Sequence, residues 1–305
     1  MTATLDWLGC ATFRLTIGER IVYLDAYLDR VPSAKPIGLG IAEIDRADWI
    51  VVGHSHFDHI YGAERIARQT GATIIGSYET VRIMEAQGIP DRQLIAVAGG
   101  ETVRLWEDVT VKVFPSQHSC VWSHRAMADV DQVCLGDLGV TYQEQQARLH
   151  ELFGWLASLG GDVLDHLRVS GQGGRGDGGP LLYLFETPEG SLLYQDTSGC
   201  WAALLRDLRP DVAILAAAGR GNLDGEPIQG SLVDFVAREV ELLRPRRVVL
   251  NHHDDWLPGF SRAIDVAPIR EALARSAPMT DLVEMGYLEG IRIFADLPTR
   301  PRPRA

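Results

Sequence analysis

Trp49-Ile50-Val51-Val52-Gly53-His54-Ser55-His56-Phe57-Asp58-His59 is the stretch on which the reading of the whole chain turns. Its first four residues are apolar, three of them β-branched, and read as a buried strand that ends at Gly53. Three imidazoles and one carboxylate then fall within six residues. Core packing gives no reason for that density, because a polar ring beside a buried strand costs free energy unless it is partnered. Imidazole nitrogens and carboxylate oxygens are good ligands for Zn²⁺, and also for Mn²⁺ or Fe²⁺. In a locally extended loop alternate side chains share a face. His54 and His56 would then grip one ion, with Asp58 and His59 turned toward another.

Working outward, the chain offers further ligands wherever a strand is expected to end. Val113-Phe114-Pro115-Ser116-Gln117-His118 places His118 just past a strand. Leu192-Leu193-Tyr194-Gln195-Asp196 places Asp196 likewise, and Val248-Val249-Leu250-Asn251-His252-His253-Asp254-Asp255 closes the set with two adjacent histidines. The elements around these positions recur in order. Strands at 13–17 and 21–25 flank the turn Gly18-Glu19-Arg20, and strands at 181–186 and 191–194 flank Thr187-Pro188-Glu189-Gly190. Each hairpin closes on an aspartate, Asp25 or Asp196. In the first half, helix 63–69 and strand 73–75 follow the histidine loop, and strands 102–106 and 109–114 come next. In the second, helix 201–208, strand 212–215, helix 232–243 and strand 247–250 lead to His252. Two such βα halves, packed sheet to sheet with helices outside, predict an α/β fold of the αβ/βα sandwich kind.

One segment fits neither half. Leu149, Leu152, Phe153, Leu156 and Leu159 have helical spacing within 141–168, which predicts a helical insertion over about 124–170. Its apolar stripe would serve as a lid, a dimer contact or plain core. The run Gly171-Gln172-Gly173-Gly174-Arg175-Gly176-Asp177-Gly178-Gly179 lacks the strand before and helix after that a phosphate-binding loop needs, so a flexible connector is expected. Residues 1–297 are read as a single domain, and 298–305, rich in Pro and Arg, as a disordered tail.

Composition narrows the function. Lys+Arg total 29 against Asp+Glu 41, a formal net charge of −12 over 305 residues. An acidic surface repels phosphate backbones and disfavours nucleic acid as a partner. Apolar runs such as 212–218 are too short to span a bilayer, and the N-terminus has no secretory pattern. Cys10, Cys120, Cys134 and Cys200 form no C-x-x-C pair and are read as reduced thiols of a cytoplasmic protein, Cys120 and Cys200 lying near ligand candidates.

Taken together, these residues resemble the metallo-β-lactamase superfamily. Its H-x-H-x-D-H signature reads here as His54, His56, Asp58 and His59, and the likeness extends from about Asp6 to Trp256. It implies a four-layer αβ/βα sandwich with the insertion between the halves. His118 and His252 would be the later histidine ligands, Asp196 would bridge two ions, and Asp25 would support a ligating histidine from behind. The Leu8-Gly9 opening and the His-x-Asp-Asp stretch at His252 are most similar to the branch containing ascorbate phosphate lactonase. That branch favours His252 over His253 as the terminal ligand, leaving His253 to face the pocket or to pack. Gln195 stands where a glycine usually precedes the aspartate, and the insertion is longer than in many relatives.

The resemblance implies a pair of divalent ions, Zn²⁺ first, holding a bridging hydroxide that attacks a lactone or carboxylic ester. Asp58 would orient that nucleophile and take its proton, while His253, Tyr61, Ser119 or Arg220 would contact substrate. Cleavage of a small or lipid-derived phosphodiester is the alternative, and a non-catalytic scaffold the remote one. A true β-lactam hydrolase would be exported and would lack an aspartate like Asp196. Transfer-RNA processing fits poorly with the acidic charge, and an oxygen-reducing diiron branch carries glutamate where His56 stands. A homo-oligomer is left open.

Overall fold

A computed structural model describes residues 2–120, 141–156, 158–227 and 231–298. Strand Val109–Pro115 alternates buried with half-buried positions, as expected of a strand covered on one face more than the other. Strands Val212–Ala216 and Arg247–Asn251 are buried at every position, because parallel strands inside an α/β layer are covered on both sides.

Among the described residues the strands form two seven-stranded sheets and one small three-stranded one. The first large sheet runs, edge to edge, Ile291–Arg292, Ala3–Trp7, Phe13–Ile17, Arg20–Leu24, Trp49–Val51, Thr73–Gly76 and Leu94–Ala96. The second runs Asp281–Val283, Arg247–Asn251, Val212–Ala216, Gly190–Tyr194, Leu181–Thr187, Val109–Pro115 and Thr102–Trp106. In each sheet the hairpin pairs are antiparallel, and the strands beyond them, joined through helices, are parallel. The repeat of pattern in the sequence is therefore a repeat of topology.

Three apolar clusters define the layers. One lies between the sheets, where Phe13, Leu15, Leu24 and Val51 meet Val111, Phe185, Tyr194 and Ile214. Another joins the outer face of the first sheet to helices Ala63–Thr70 and Tyr78–Ala86 through Ile50, Ile74, Ile66 and Ile83. The third joins the second sheet to helices Leu232–Leu243 and Ala267–Ser276 through Val248, Phe235, Val240 and Ile269. Helix, sheet, sheet, helix is the four-layer αβ/βα sandwich of the metallo-β-lactamase type.

Differences from the sequence reading have local causes. The helix expected at 201–208 is only Ala202–Leu205, because the flanking chain builds the small sheet of Gly199–Cys200, Asn222–Leu223 and Glu226–Pro227. Of the expected insertion, residues 124–140 lie outside the described residues, as does Cys134. The remainder forms helices Tyr142–Leu156 and Gly161–Ser170, whose Leu152, Leu156 and Val163 pack on Tyr27 and Trp256. Residues 299–305 of the expected tail are likewise outside the description. The Gly-rich run is tied down rather than loose. Asp177 O accepts from Ser55 N at 2.7 Å, and a Cβ on Gly178, at φ +75°, would fall 2.6 Å from Ser55 Oγ. Glycine is there because the run must lie flush on the histidine loop.

Helix Leu232–Leu243 starts from a capping box between Ser231 and Asp234, and its buried stripe includes a carboxyl, Glu239. Gln195 Nε2 donates to Glu239 Oε1 at 2.6 Å. Burial nevertheless pushes the Glu239 carboxyl up to about 8, against the opposing hydrogen bonds from Gln195 and Cys200. The native state therefore holds a proton that the unfolded chain releases near 4.5. Through that window the native state binds more protons than the unfolded one, so this group's contribution to stability falls as pH rises. Glu239→Gln should flatten the decline, which for one group is at most about 1.4 kcal/mol per pH unit. Urea unfolding of both proteins between pH ~5 and ~8 measures it, and an unchanged slope in the variant would assign the decline to other groups.

Candidate metal centre

Strand Trp49–Val51 delivers its loop into a prepared cradle. Gly53 N donates to Asp25 Oδ1 at 2.8 Å, and Gly53 O accepts from Leu181 N at 2.9 Å, so both sheets hold the loop's first residue. The chain stays extended through His56, at φ −71° and ψ 154°, which caps the short helix Phe57–Ile60. The expected extended loop therefore covers His54 and His56, while Asp58 and His59 sit on a helical turn.

Donor atoms of the expected residues converge. His54, His56 and His118 form one group, His54, His59 and Asp196 another, and Cys10, Asp58 and His252 a third, with the donor atoms of each group within 4.8 Å of one another. His54 Nε2 lies 3.1 Å from His56 Nδ1, and His54 Nδ1 lies 2.6 Å from Asp196 Oδ2. His252 Nε2 and His59 Nε2 stand 3.2 Å and 3.4 Å from Asp58 Oδ2. Asp25 Oδ2 lies 2.5 Å from His59 Nδ1 and 2.7 Å from the Tyr194 hydroxyl. A carboxylate can only accept, so Nδ1 carries a proton and Nε2 is the nitrogen turned to the Asp58 side, where an ion would take the place of any second proton. The same logic holds at His118, whose Nδ1 donates to Ser119 O at 2.8 Å. Three residues of the site, Cys10, Asp25 and His252, have left-handed backbones at φ 48°, 54° and 61°.

Charge states follow from burial and neighbours. Burial, with the surrounding imidazoles, holds His54 and His56 well below the usual histidine range, so both are neutral and ready to coordinate. Burial works against ionised Asp58, but His59 and the hydrogen bond from His252 overcome it and hold Asp58 well below its usual range. Burial raises Asp196 and pushes Asp25 up to about 6. Asp196 Oδ1 and His56 Nε2 are buried with no hydrogen-bond partner among the described residues. Such atoms are costly unless something else satisfies them. Burial opposes a charge on His59, but Asp58 and Asp25 overcome it and hold that imidazole well above the usual range, so its second proton must leave when an ion binds. Neutral His54 and His56, ionised Asp58 and the orphaned donor atoms together suit divalent metal.

The sequence itself carries the same signature. Residues 20–136 match the beta-lactamase superfamily domain. The UPF0173 metal-dependent hydrolase of Chloroflexus aurantiacus is 37% identical over 118 residues, 38% of this chain and 47% of the relative. That of Solibacter usitatus is 34% identical over 118 residues, 38% of this chain and 48% of the relative. The chain thus spans about half the length of the curated relatives it matches. Likeness of fold reaches further. Igni18, a metallo hydrolase from Ignicoccus hospitalis, superposes with a TM-score of 0.61 at 16% identity, covering 95% of this chain and 98% of that one. An isothiocyanate hydrolase from Delia radicum gut bacteria gives 0.58 at 15% identity over 94% and 98% of the two chains. A diphosphatase of the PhnP family gives 0.53 at 16% identity over 98% and 100%. The stretch that matches the beta-lactamase superfamily domain includes the histidine loop, and the likeness of fold covers the second half.

Above the donor cluster of this domain opens a cavity of about 670 Å³. His56, Asp58, His59, His118 and His252 form its floor, and Phe57, Leu152, Trp155, Leu156, Trp256 and Phe260 much of its wall. Arg175, Arg220 and Arg262 also reach it. Of the residues expected at the substrate, Ser119 and Arg220 line this space. Tyr61 and His253 are not brought to it. The Tyr61 ring packs edge-on to His166 and beneath Arg65. The His253 ring stacks on Trp7 at 4.5 Å and 9°, because its turn sends the two adjacent histidines opposite ways. The expectation that His253 faces the pocket is corrected accordingly. Cys10 is what sequence reasoning missed, and the only signal was its place in the Leu8-Gly9-Cys10 opening. Among the described residues, no helix is long and apolar enough to cross a membrane.

Proposed function

We propose that the protein is a metal-dependent hydrolase that cleaves a lactone or carboxylic ester carried on an apolar body. The observation that carries this reading is the aromatic-walled cavity standing directly on the His/Asp cluster. Its volume and lining are those of a small-molecule site, and an acidic chain is a poor partner for nucleic acid.

In this reading His54, His56 and His118 would hold one ion and Asp58, His59 and His252 the other, with Asp196 available to both. Two divalent ions bound there, Zn²⁺ first, with Mn²⁺ or Fe²⁺ as alternatives, would lower the pKa of water and polarise the scissile carbonyl. The chain's own groups do the rest. Asp58, ionised at the cavity floor, orients the attacking water and accepts its proton. Asp25 keeps the proton of His59 on Nδ1, so that Nε2 stays available. Trp256 and Phe260 exclude bulk water from one side of the scissile bond and bind the apolar body. The lactone preference itself draws on the resemblance to the lactonase branch.

Arg175, Arg220 and Arg262, which also line the cavity, favour a second reading, a small phosphodiester whose anion they would meet. A panel of aryl-chain lactones, nitrophenyl esters and bis-nitrophenyl phosphate, run on protein loaded with zinc or manganese, separates the two. Esters and lactones are expected to react faster than the phosphodiester. Turnover of the phosphodiester alone would establish the second reading. No turnover by protein holding its metals would remove both and leave the scaffold alternative.

A further inference from the structure

Cys10 belongs to the cluster in a way the ligand set above does not use. Its side chain is fully buried, and Sγ lies 3.6 Å from His252 Nε2. Cys10 Sγ, the Asp58 carboxylate and the His252 ring offer donor atoms within 4.8 Å of one another. We propose that Cys10 Sγ is a direct ligand of the ion held by Asp58, His59 and His252, an inference that rests on the two-metal reading.

The spacing is that of a coordination shell. Bonds of about 2.3 Å to sulfur and about 2.0–2.1 Å to nitrogen or oxygen, at the roughly 90–110° angles of an ion with five ligands, separate sulfur from nitrogen by about 3.1–3.6 Å and nitrogen from oxygen by about 2.9–3.4 Å. The corresponding separations here are 3.6 Å for Cys10 Sγ to His252 Nε2, and 3.2 Å and 3.4 Å from Asp58 Oδ2 to the two imidazoles. The backbone aims the thiol at this point. His252 N donates to Cys10 O at 2.8 Å, and Cys10 N donates to Asp254 Oδ1 at 3.0 Å. Asp254 is in turn held by Arg30 at 2.8 Å and by the Tyr287 hydroxyl at 2.6 Å. The turn bearing Cys10 and the loop bearing His252 are thus laced together, although 242 residues separate them.

On ion binding the S–H bond breaks, the sulfur lone pair forms the metal–sulfur bond, and the proton leaves to solvent. A thiolate makes this site softer than one of nitrogen and oxygen alone, and selects Zn²⁺ over Mn²⁺.

The test reads the sulfur–metal bond itself. Protein stripped with a chelator and reloaded with two equivalents of Zn²⁺ should show a sulfur shell at about 2.3 Å by zinc X-ray absorption. Reloaded with Co²⁺, it should show a near-ultraviolet thiolate-to-cobalt charge-transfer band. Cys10→Ser should abolish both signals and weaken one ion by ~10-fold or more. A protein with Cys120, Cys134 and Cys200 all changed to serine should keep them, which decides the matter even if Cys10→Ser folds poorly. Two ions bound with no sulfur shell, or a band that survives in Cys10→Ser, would overturn the assignment while leaving the hydrolase reading intact. Failure to bind any ion would overturn both.

Discussion

Replacing Asp196 with asparagine is expected to lower ester turnover by at least ~10²-fold and to drop the metal content below two ions per chain. Asp196 is buried, its Oδ2 touches His54 and His59 at 2.6 Å and 3.3 Å, and its Oδ1 has no hydrogen-bond partner among the described residues. A carboxylate so placed can neutralise and link two dications, and a neutral amide of the same shape cannot. The change leaves volume nearly constant, so a loss reports on charge rather than packing. Metal analysis beside kcat on the best ester checks the two arms together. An asparagine variant with full metal content and turnover within ~3-fold of wild type would place the shared ligand elsewhere.

Gly53→Ala should match or exceed that loss without removing any donor group. A Cβ at position 53 would fall 2.0 Å from Asp196 Oδ2 and 2.1 Å from its Cγ, well inside contact distance. The Asp196 side chain is not free to swing aside without giving up its contacts with His54 and His59. Either the histidine loop or the carboxylate must move, and each movement spreads the donor atoms. Overpacking of this kind costs about 1–3 kcal/mol, so a lowered thermal midpoint is expected in the metal-free protein as well as weaker metal binding. Gly53→Ala protein with wild-type metal affinity would show that Asp196 has room that the structure denies it.

Much of the fold was legible because its two halves obey clear periodicities. The buried strands 49–52 and 247–250 lack alternation, and they end where ligands begin. The edge strands Asp281–Val283 and Ile291–Arg292 carry too few residues for a pattern, and only pairing with their neighbours makes them strands. At the site, His54, His56, Asp58 and His59 were legible from density alone. His118, Asp196 and His252 were legible as strand-end residues and gained force only together. The choice between His252 and His253 turns on one left-handed residue, which no periodicity encodes. Cys10 escaped for a related reason. A thiol in a tight turn has no sequence neighbour that announces its partner, and contact with His252 exists only once the two halves close. The Gly-rich run was misread because composition alone does not distinguish glycine used for slack from glycine used for close approach.

The left-handed backbones at Cys10, Asp25 and His252 carry a consequence for anyone who would alter this chain. Each is a conformation that glycine adopts freely and that a β-carbon opposes, at a cost of order 1 kcal/mol or more per residue. Glycine at all three would relax the backbone while removing a thiol, a carboxylate and an imidazole from the cluster. At Asp25 the hydrogen bonds to Gly53, His59 and Tyr194 outweigh that relief, so the strain is held in place by the contacts it serves. At His252, whose Nδ1 is buried without a partner among the described residues, thermostability and chemistry pull in opposite directions, and a search scored on melting temperature alone would arrive there early and return a sturdier protein with its centre dismantled.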